Sequence, residues 1–176
     1  MKFFSETHAL EKLHQLKTDY AAQTKTGYEH KAKSCLTCET QGACCLDAHF
    51  VNVHITRLEA VVIRNAIGKL SEERQDEINS RVDETVRKYA LSTEGDTFAQ
   101  TYACPLFEKG TGCLVHAAGK PLPCIQHACY ENERDLPPDE LLSEQERRVE
   151  NLSKRTYGNE AEWLPLPVAI CQNHLR

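Results

Sequence analysis

The chain has 176 residues, which is long enough for one folded domain with a buried core. It carries 21 Lys and Arg against 26 Asp and Glu, a net charge of −5, which argues against a broad nucleic-acid-binding surface and against a polybasic membrane surface. No run of 18 apolar residues occurs, and MKFFSETH turns polar after Phe4 without a secretory apolar core. We therefore expect a cytoplasmic protein with no membrane segment and no nucleic-acid partner.

The N-terminal segment has the spacing of an amphipathic helix from Ser5 to about Thr26. Apolar residues recur at steps of three and four, namely Leu10, Leu13, Leu16 and Tyr20. Ser5 is a suitable N-cap, and Gly27 would end the helix. Further along, FVNVHIT alternates apolar and polar residues, which predicts a short strand at 51–55.

Two more helices are predicted in the middle of the chain. Thr56 and Glu59 form a capping-box pattern that opens a helix ending at Gly68. Its predicted buried face consists of Leu58, Val61, Val62 and Ala66. A longer amphipathic helix is predicted from about Ser71 to Leu91. Its apolar stripe consists of Ile78, Val82, Val86 and Tyr89.

Turn-forming residues dominate the stretch that follows. The sequence EKGTG is typical of the tip of a small hairpin. Pro123 is suited to the first position of a short helix carrying Cys124 to Cys129. A helix from Asp139 to Thr156 has a weak apolar stripe, so we expect it to lie on the surface. The tail WLPLPVAIC is broken by proline and should pack back as an extended segment.

These elements predict a mainly α fold: a small single domain with irregular cysteine-rich loops organised by metal and at most a short β-hairpin. We expect three segments along the chain. They are an N-terminal helical extension (1–34), a cysteine-cluster core (35–130), and a C-terminal helix with an extended tail (131–176).

Nine cysteines are the distinctive feature of the composition. Four lie in CLTCETQGACC, namely Cys35, Cys38, Cys44 and Cys45. Four lie in CPLFEKGTGCLVHAAGKPLPCIQHAC, namely Cys104, Cys113, Cys124 and Cys129. Only Cys171 stands alone. Secreted disulfide scaffolds are usually shorter, with an even cysteine count and a signal peptide, whereas clustered cysteines in a reducing compartment more often bind metal or do redox chemistry.

The cysteine spacing itself points to metal. Cys35 and Cys38 form a CxxC pair that can direct two sulfurs at one ion, although redox proteins use the same pattern. Cys44 and Cys45 are adjacent, and on an extended backbone their side chains would point to opposite sides, towards two metals or with one in a supporting role. The first two gaps in the second group contain Gly and Pro, which are typical of turns.

Three other residues stay open as ligands. His116 and His127 lie within the second cysteine group, and imidazole suits zinc, but both are equally consistent with ordinary loop positions. Cys171 lies in an apolar tail, where a free cysteine serves as a small hydrophobe.

The two cysteine groups together resemble the YkgJ-type cysteine-cluster family, described as a zinc- or iron-chelating domain. The matching pieces are CLTCETQGACC, ITRLEAVVI, CPLFEKGTGC and LVHAAGKPLPCIQHAC. The resemblance implies that eight cysteines are metal ligands: Cys35, Cys38, Cys44, Cys45, Cys104, Cys113, Cys124 and Cys129. It implies metal binding rather than a particular reaction, so no catalytic residue is assigned and the question of enzymatic activity stays open.

Three functions fit these residues. The first is a zinc-binding protein with a structural, metal-handling or sensing role, slightly favoured by the nearby histidines and the Cys44–Cys45 pair. The second is an iron–sulfur protein that transfers electrons or supports an enzymatic step. The third is a thiol oxidoreductase using Cys35 and Cys38, although no thioredoxin-like βαβ pattern surrounds them.

Overall fold

The computed structural model describes residues 3–33, 39–48 and 51–172. Two of the predicted ligands, Cys35 and Cys38, lie outside these ranges. Within them the chain is helical apart from turns and very short strand pairs, so the prediction of a mainly α fold is confirmed. No helix in the described ranges combines the length and apolar character needed to cross a membrane.

Seven α-helices occur in the described part of the chain. They are α1 (Glu6–Gly27), α2 (Ala43–Leu46), α3 (Arg57–Ile67), α4 (Glu72–Lys88), α5 (Leu122–Gln126), α6 (Asp139–Tyr157) and α7 (Leu166–Gln172). Six two-residue strands form three antiparallel pairs: β1 (Ala32–Lys33) with β5 (Cys129–Tyr130), β2 (His54–Ile55) with β6 (Leu164–Pro165), and β3 (Phe107–Glu108) with β4 (Gly112–Cys113). Only the last pair is a local hairpin, and the other two join distant parts of the sequence.

The chain divides into two compact units, each built from two separate stretches. The α1–α6 unit comprises Met1–Gln41 and Pro121–Ala161, and the hairpin unit comprises Gly42–Lys120 and Glu162–Arg176. The three segments expected from the sequence follow chain order and stay a prediction about domain limits.

Helix packing defines the α1–α6 unit. The Ser5 side chain accepts a hydrogen bond from the His8 amide at 3.3 Å and caps α1, as predicted. Helix α6 ends at Gly158, whose φ of 80° suits glycine. Its buried face carries one apolar residue, Val149, between two polar ones, and it packs against α1. Helix α6 therefore lies at the surface, as predicted, and buries one narrow face against α1.

Short elements join the rest of the α1–α6 unit to α1. Tyr20 on α1 is 2% exposed, and its hydroxyl donates to Gln126 Oε1 on α5. Helix α5 contains Cys124 but ends at Gln126, so Cys129 lies in strand β5 instead of the helix predicted there. The helix ends before His127, whose backbone is extended, so the two cysteines lie in different elements.

A continuous apolar core defines the hairpin unit. The capping box at Thr56 and Glu59 opens α3 as predicted. The buried face of α3 differs from the prediction, because Ala60, Ile63 and Ile67 are buried where Val61, Val62 and Ala66 were expected. Of the four residues predicted to be buried, Leu58 is the one that the structure buries. The helix is rotated because its partner, α7, comes from the far end of the sequence.

The C-terminal tail is helical where an extended segment was predicted. After strand β6, residues from Leu166 to Gln172 form α7, which packs against α3 and α4. Pro167 is the second residue of this helix, where proline is tolerated because the first amides of a helix have no intrahelical acceptor. The expectation that the tail packs back on the body is met, since Ile170 is fully buried.

Candidate metal centre

The β3–β4 hairpin holds two of the predicted ligands close together. Phe107 pairs with Cys113 across the hairpin, and Cys104 lies three residues before Phe107. Gly110 and Gly112 adopt φ values of 87° and 92°, which lets the chain reverse in the tip predicted from EKGTG. The hairpin thus brings Cys104 and Cys113, nine residues apart in sequence, to its open end.

Both cysteines begin similar backbone turns. The Phe107 amide donates to the Cys104 carbonyl at 3.4 Å, and the His116 amide donates to the Cys113 carbonyl at 3.1 Å. In each case the donor lies three residues after the cysteine. Such turns leave the amide two residues after each cysteine free to point at its side chain, and the Phe107 amide is shared between the Cys104 carbonyl and its sulfur.

Those amides hydrogen-bond to the sulfurs. Cys104 Sγ accepts from the backbone N–H groups of Leu106 and Phe107, and Cys113 Sγ accepts from that of Val115. Hydrogen bonds of this kind favour the thiolate over the thiol. These three donors partly offset the effect of burial on the two sulfurs.

Burial acts in the opposite direction on the same sulfurs. It raises the pKa of the Cys104 thiol to about 11 and also raises the pKa of Cys113. Without a cation both groups are protonated at neutral pH and are poor nucleophiles. A metal ion would reverse this balance, because a coordinating thiol loses its proton.

Helix α2 places Cys44 and Cys45 in the same unit. Gly42 precedes this helix with a φ of 82°, and the Phe107 ring lies where a side chain on Gly42 would be. The Cys104 amide donates to the Cys45 carbonyl at 2.7 Å. Because the pair is helical, the argument that adjacent cysteines on an extended backbone serve two metals does not apply.

The second cysteine group is divided between the two units. Cys104 and Cys113 belong to the hairpin unit, whereas Cys124 and Cys129 belong to the α1–α6 unit. Cys129 lies opposite Lys33 in the β1–β5 pair. Lys33 itself precedes Cys35 by two residues in the sequence. The second cysteine block of the sequence is therefore shared between two compact units.

No complete metal site is assembled by the residues that can be described. Across 3–33, 39–48 and 51–172, no three His, Cys, Asp or Glu side chains are close enough to hold one ion. His116 and His127 are exposed. The Cys171 thiol donates to Asp83 Oδ1 at 3.2 Å, which gives it a partner other than metal.

Comparisons with known proteins found no relative of this chain. No family model, curated protein or solved structure matches this chain. The likeness to the YkgJ-type family accordingly stays a prediction carried by the cysteine motifs.

Sequence reasoning missed three charged residues beside the hairpin. Glu108, within the hairpin itself, accepts two hydrogen bonds from Arg74 and one from Arg81. The two arginines lie seven residues apart on α4, a spacing that repeats after two helical turns. That spacing on a predicted helix was the available indication in the sequence.

Proposed function

We propose that the protein binds zinc through its clustered cysteines and has a structural, metal-handling or sensing role. The candidate ligands are Cys35, Cys38, Cys44, Cys45, Cys104, Cys113, Cys124 and Cys129. Thiolates are soft donors that suit zinc and iron. Bound zinc would supply positive charge that holds thiolates together, without redox chemistry of its own.

The hairpin turns carry this proposal. Cys104 and Cys113 lie at one end of the hairpin, and three backbone amides donate to their two sulfurs. A buried free cysteine that only fills space needs no such donors. The backbone hydrogen bond between Cys104 and Cys45 also brings a part of the first cysteine group to this hairpin.

An iron–sulfur cluster is the second candidate. Hydrogen bonds to sulfur are one of the ways in which proteins set the potential of such clusters, and the same three amides fit that use. The arrangement of thiols does not favour one metal over the other. Burial raises the pKa of Cys104, which makes this residue a poor nucleophile; the dithiol hypothesis concerns Cys35 and Cys38 instead.

The first experiment is the metal content per chain of protein purified without oxygen, together with acid-labile sulfide and a visible spectrum. Zinc without sulfide or colour supports the proposal. Iron with matching sulfide and a brown absorbance supports the second candidate instead. Absence of both metals, with no uptake of added zinc, contradicts metal binding and favours the dithiol.

A matched pair of variants tests the ligands. We expect Cys104→Ser to weaken zinc binding by at least about 100-fold, more than the loss of an outer-shell partner usually costs. Cys171→Ser is the control, because Cys171 is also partly buried but bonds to Asp83. If the Cys104→Ser variant binds zinc as tightly as the parent protein does, Cys104 is not a ligand.

A further inference from the structure

Helices α1 and α6 leave an open groove between them in the α1–α6 unit. Its volume is about 390 Å³, which is within the range of small-molecule sites, and such sites often lie between helices. Four residues from each helix line the groove, and Phe4, which precedes α1, completes the lining. All of these residues belong to the α1–α6 unit, and none of them is a cysteine. The groove therefore involves none of the candidate metal ligands.

The apolar part of the lining comes from both helices. Leu16 on α1 is 4% exposed, and Leu152 on α6 is half-buried, as is Phe4. An apolar group that lies in the groove therefore contacts α1 and α6 at once.

Positive charge predominates among the charged side chains of the groove. Lys12, Arg148 and Arg155 are cationic, and Asp19 is the one carboxylate in the lining. The whole chain carries a net charge of −5, so this local excess is opposite in sign. Asp19 follows Lys12 by seven residues, about 10 Å along the axis of α1. Its Oδ1 accepts a hydrogen bond from Gln15 Nε2 at 2.8 Å.

The carboxylates in the first turns of α1 have partners elsewhere. Glu11 Oε2 lies 3.8 Å from His8 Nδ1, and Glu6 Oε2 accepts a hydrogen bond from the Tyr157 hydroxyl at 2.7 Å. Neither carboxylate lines the groove. The lining at the Lys12 end of the groove is therefore cationic.

Two cations of the groove contact the same aromatic ring. The guanidinium carbon of Arg155 is 3.8 Å from the centroid of the Phe4 ring, and Lys12 Nζ is 5.8 Å from it. The Phe4 amide also donates to the Arg155 carbonyl at 2.9 Å, which fixes Phe4 against the end of α6. The ring thus holds two like charges near each other, and an anion between them would relieve their repulsion.

We propose that the groove binds a free amphipathic anion, which consists of one carboxylate, sulfonate or phosphate group on an apolar body. The anionic group lies between Lys12 and Arg155, and the apolar body lies on Leu16 and Leu152. Charge complementarity selects an anion, and the volume of the groove selects a small molecule. The inference goes beyond the proposed function, because it does not depend on metal binding.

An acidic helix of another protein is the main competing occupant. A helix docked in a groove places a row of apolar side chains over about two turns. Here each helix contributes a single apolar residue to the lining, Leu16 or Leu152. This limited apolar surface fits a small ligand better than a docked helix.

Binding of decanoate to the full chain tests the proposal, with decyltrimethylammonium as a probe of similar chain length and opposite charge. Titration calorimetry gives the affinities, and amide chemical shifts locate the bound probe. We expect decanoate to bind with a Kd below about 1 mM, the affinity that ordinary ligand efficiency gives a molecule of about a dozen non-hydrogen atoms. The shifts should concentrate in α1 and α6. Decyltrimethylammonium should bind at least about 10-fold more weakly, because its charge is like that of the groove.

A matched pair of lysine variants separates local charge from overall charge. Lys12 and Lys25 are both exposed residues of α1, but only Lys12 lines the groove. We expect Lys12→Gln to weaken decanoate binding by about 3–10-fold, the effect of losing one charged contact at a partly exposed site. Lys25→Gln should change it by less than about twofold, because Lys25 lies about 20 Å further along the helix, beyond the screening length.

Several results would overturn the inference. They are no saturable binding of decanoate, equal affinities for the two probes, or equal losses in Lys12→Gln and Lys25→Gln. Binding of a synthetic Glu- and Leu-rich helical peptide without binding of decanoate would assign the groove to a helical partner instead. Salt-sensitive self-association without binding of decanoate would assign it to a second copy of the chain. None of these results changes the proposed function, because no candidate metal ligand lines the groove.

Discussion

The two units hold their cysteines in different ways. In the hairpin unit, Cys104 and Cys113 pack against a continuous core that includes Ile55 and Ile63, both fully buried. In the α1–α6 unit, the long helices make most of the packing, and the described cysteines lie on a five-residue helix and a two-residue strand.

This difference bears on what metal contributes to each unit. Turns that are backed by a packed core can be preorganised before an ion arrives, whereas very short elements have few contacts that would order them. We infer that the hairpin cysteines are positioned mainly by apolar packing. Two comparisons between matched residues of the two units, and one residue of the hairpin unit alone, sharpen or break this view.

The largest effect is expected at two glycines with positive φ. Gly42→Ala in the hairpin unit would be strained by its φ of 82° and would overlap the Phe107 ring. Strain and overpacking together should cost about 2–5 kcal/mol. Gly158→Ala in the α1–α6 unit has a φ of 80° but only an ordinary contact to Phe3 at 3.7 Å, so about 1–2 kcal/mol is expected.

Chemical denaturation measures both glycine variants, and hydrogen exchange assigns the loss to one unit. If the two variants lose the same free energy of unfolding, the packing of Gly42 against Phe107 does not help to hold α2 beside the hairpin.

An intermediate effect is expected at two helix caps. Thr56 is fully buried and is paired with the buried Glu59 in a capping box, so Thr56→Ala should cost about 2 kcal/mol, the upper end for N-caps. Ser5→Ala removes an exposed cap with a single 3.3 Å hydrogen bond, and about 0.5–1 kcal/mol is expected. Thermal unfolding of both variants tests the order, and a larger loss for Ser5→Ala would contradict it.

The smallest effect is expected from His54, which is 5% exposed. Its Nε2–H donates to the Thr97 carbonyl at 2.9 Å, and its ring stacks on Phe98. Burial lowers the pKa of His54 below 6.5, although Thr97 and the carboxylate of Asp96 oppose this. The unfolded chain therefore takes up a proton at higher pH than the folded chain does.

The stability contributed by neutral His54 is complete above about pH 6.5 and declines as the pH falls towards the lowered pKa of the folded state. Hydrogen-exchange protection in the hairpin unit, corrected for the intrinsic exchange rate at each pH, should fall as the pH drops below about 6.5, and His54→Gln should reduce this dependence. An unchanged dependence in His54→Gln would assign it to other groups.

Local patterns were sufficient to predict several elements. Ser5 and Gly27 delimit α1, the capping box opens α3, and EKGTG forms the hairpin tip, because each depends on neighbours within a few residues. Buried faces were harder to predict. The face of α3 and the packing of α6 depend on partners more than 90 residues away, which periodicity alone cannot identify.

The site was only partly predictable for the same reason. The turn sequence EKGTG correctly predicted the hairpin beside Cys104 and Cys113, but no pattern indicated that Cys124 and Cys129 would belong to another unit. The chain leaves the hairpin unit after Lys120, and no local pattern marks that change. The pairing of Glu108 with Arg74 and Arg81 likewise depends on how α4 packs.

The interleaved order of the two units has a consequence for how the chain is made. The contact from Tyr20 to Gln126 and the contact from Arg64 to Ile170 each span 106 residues. Synthesis proceeds from the N-terminus, so α1 and α3 leave the ribosome long before α6 and α7, against which they pack. Closing such long loops also slows folding. During that interval the apolar faces of α1 and α3 are accessible to chaperones, and the cysteines between them are accessible to oxidants and to metal donors.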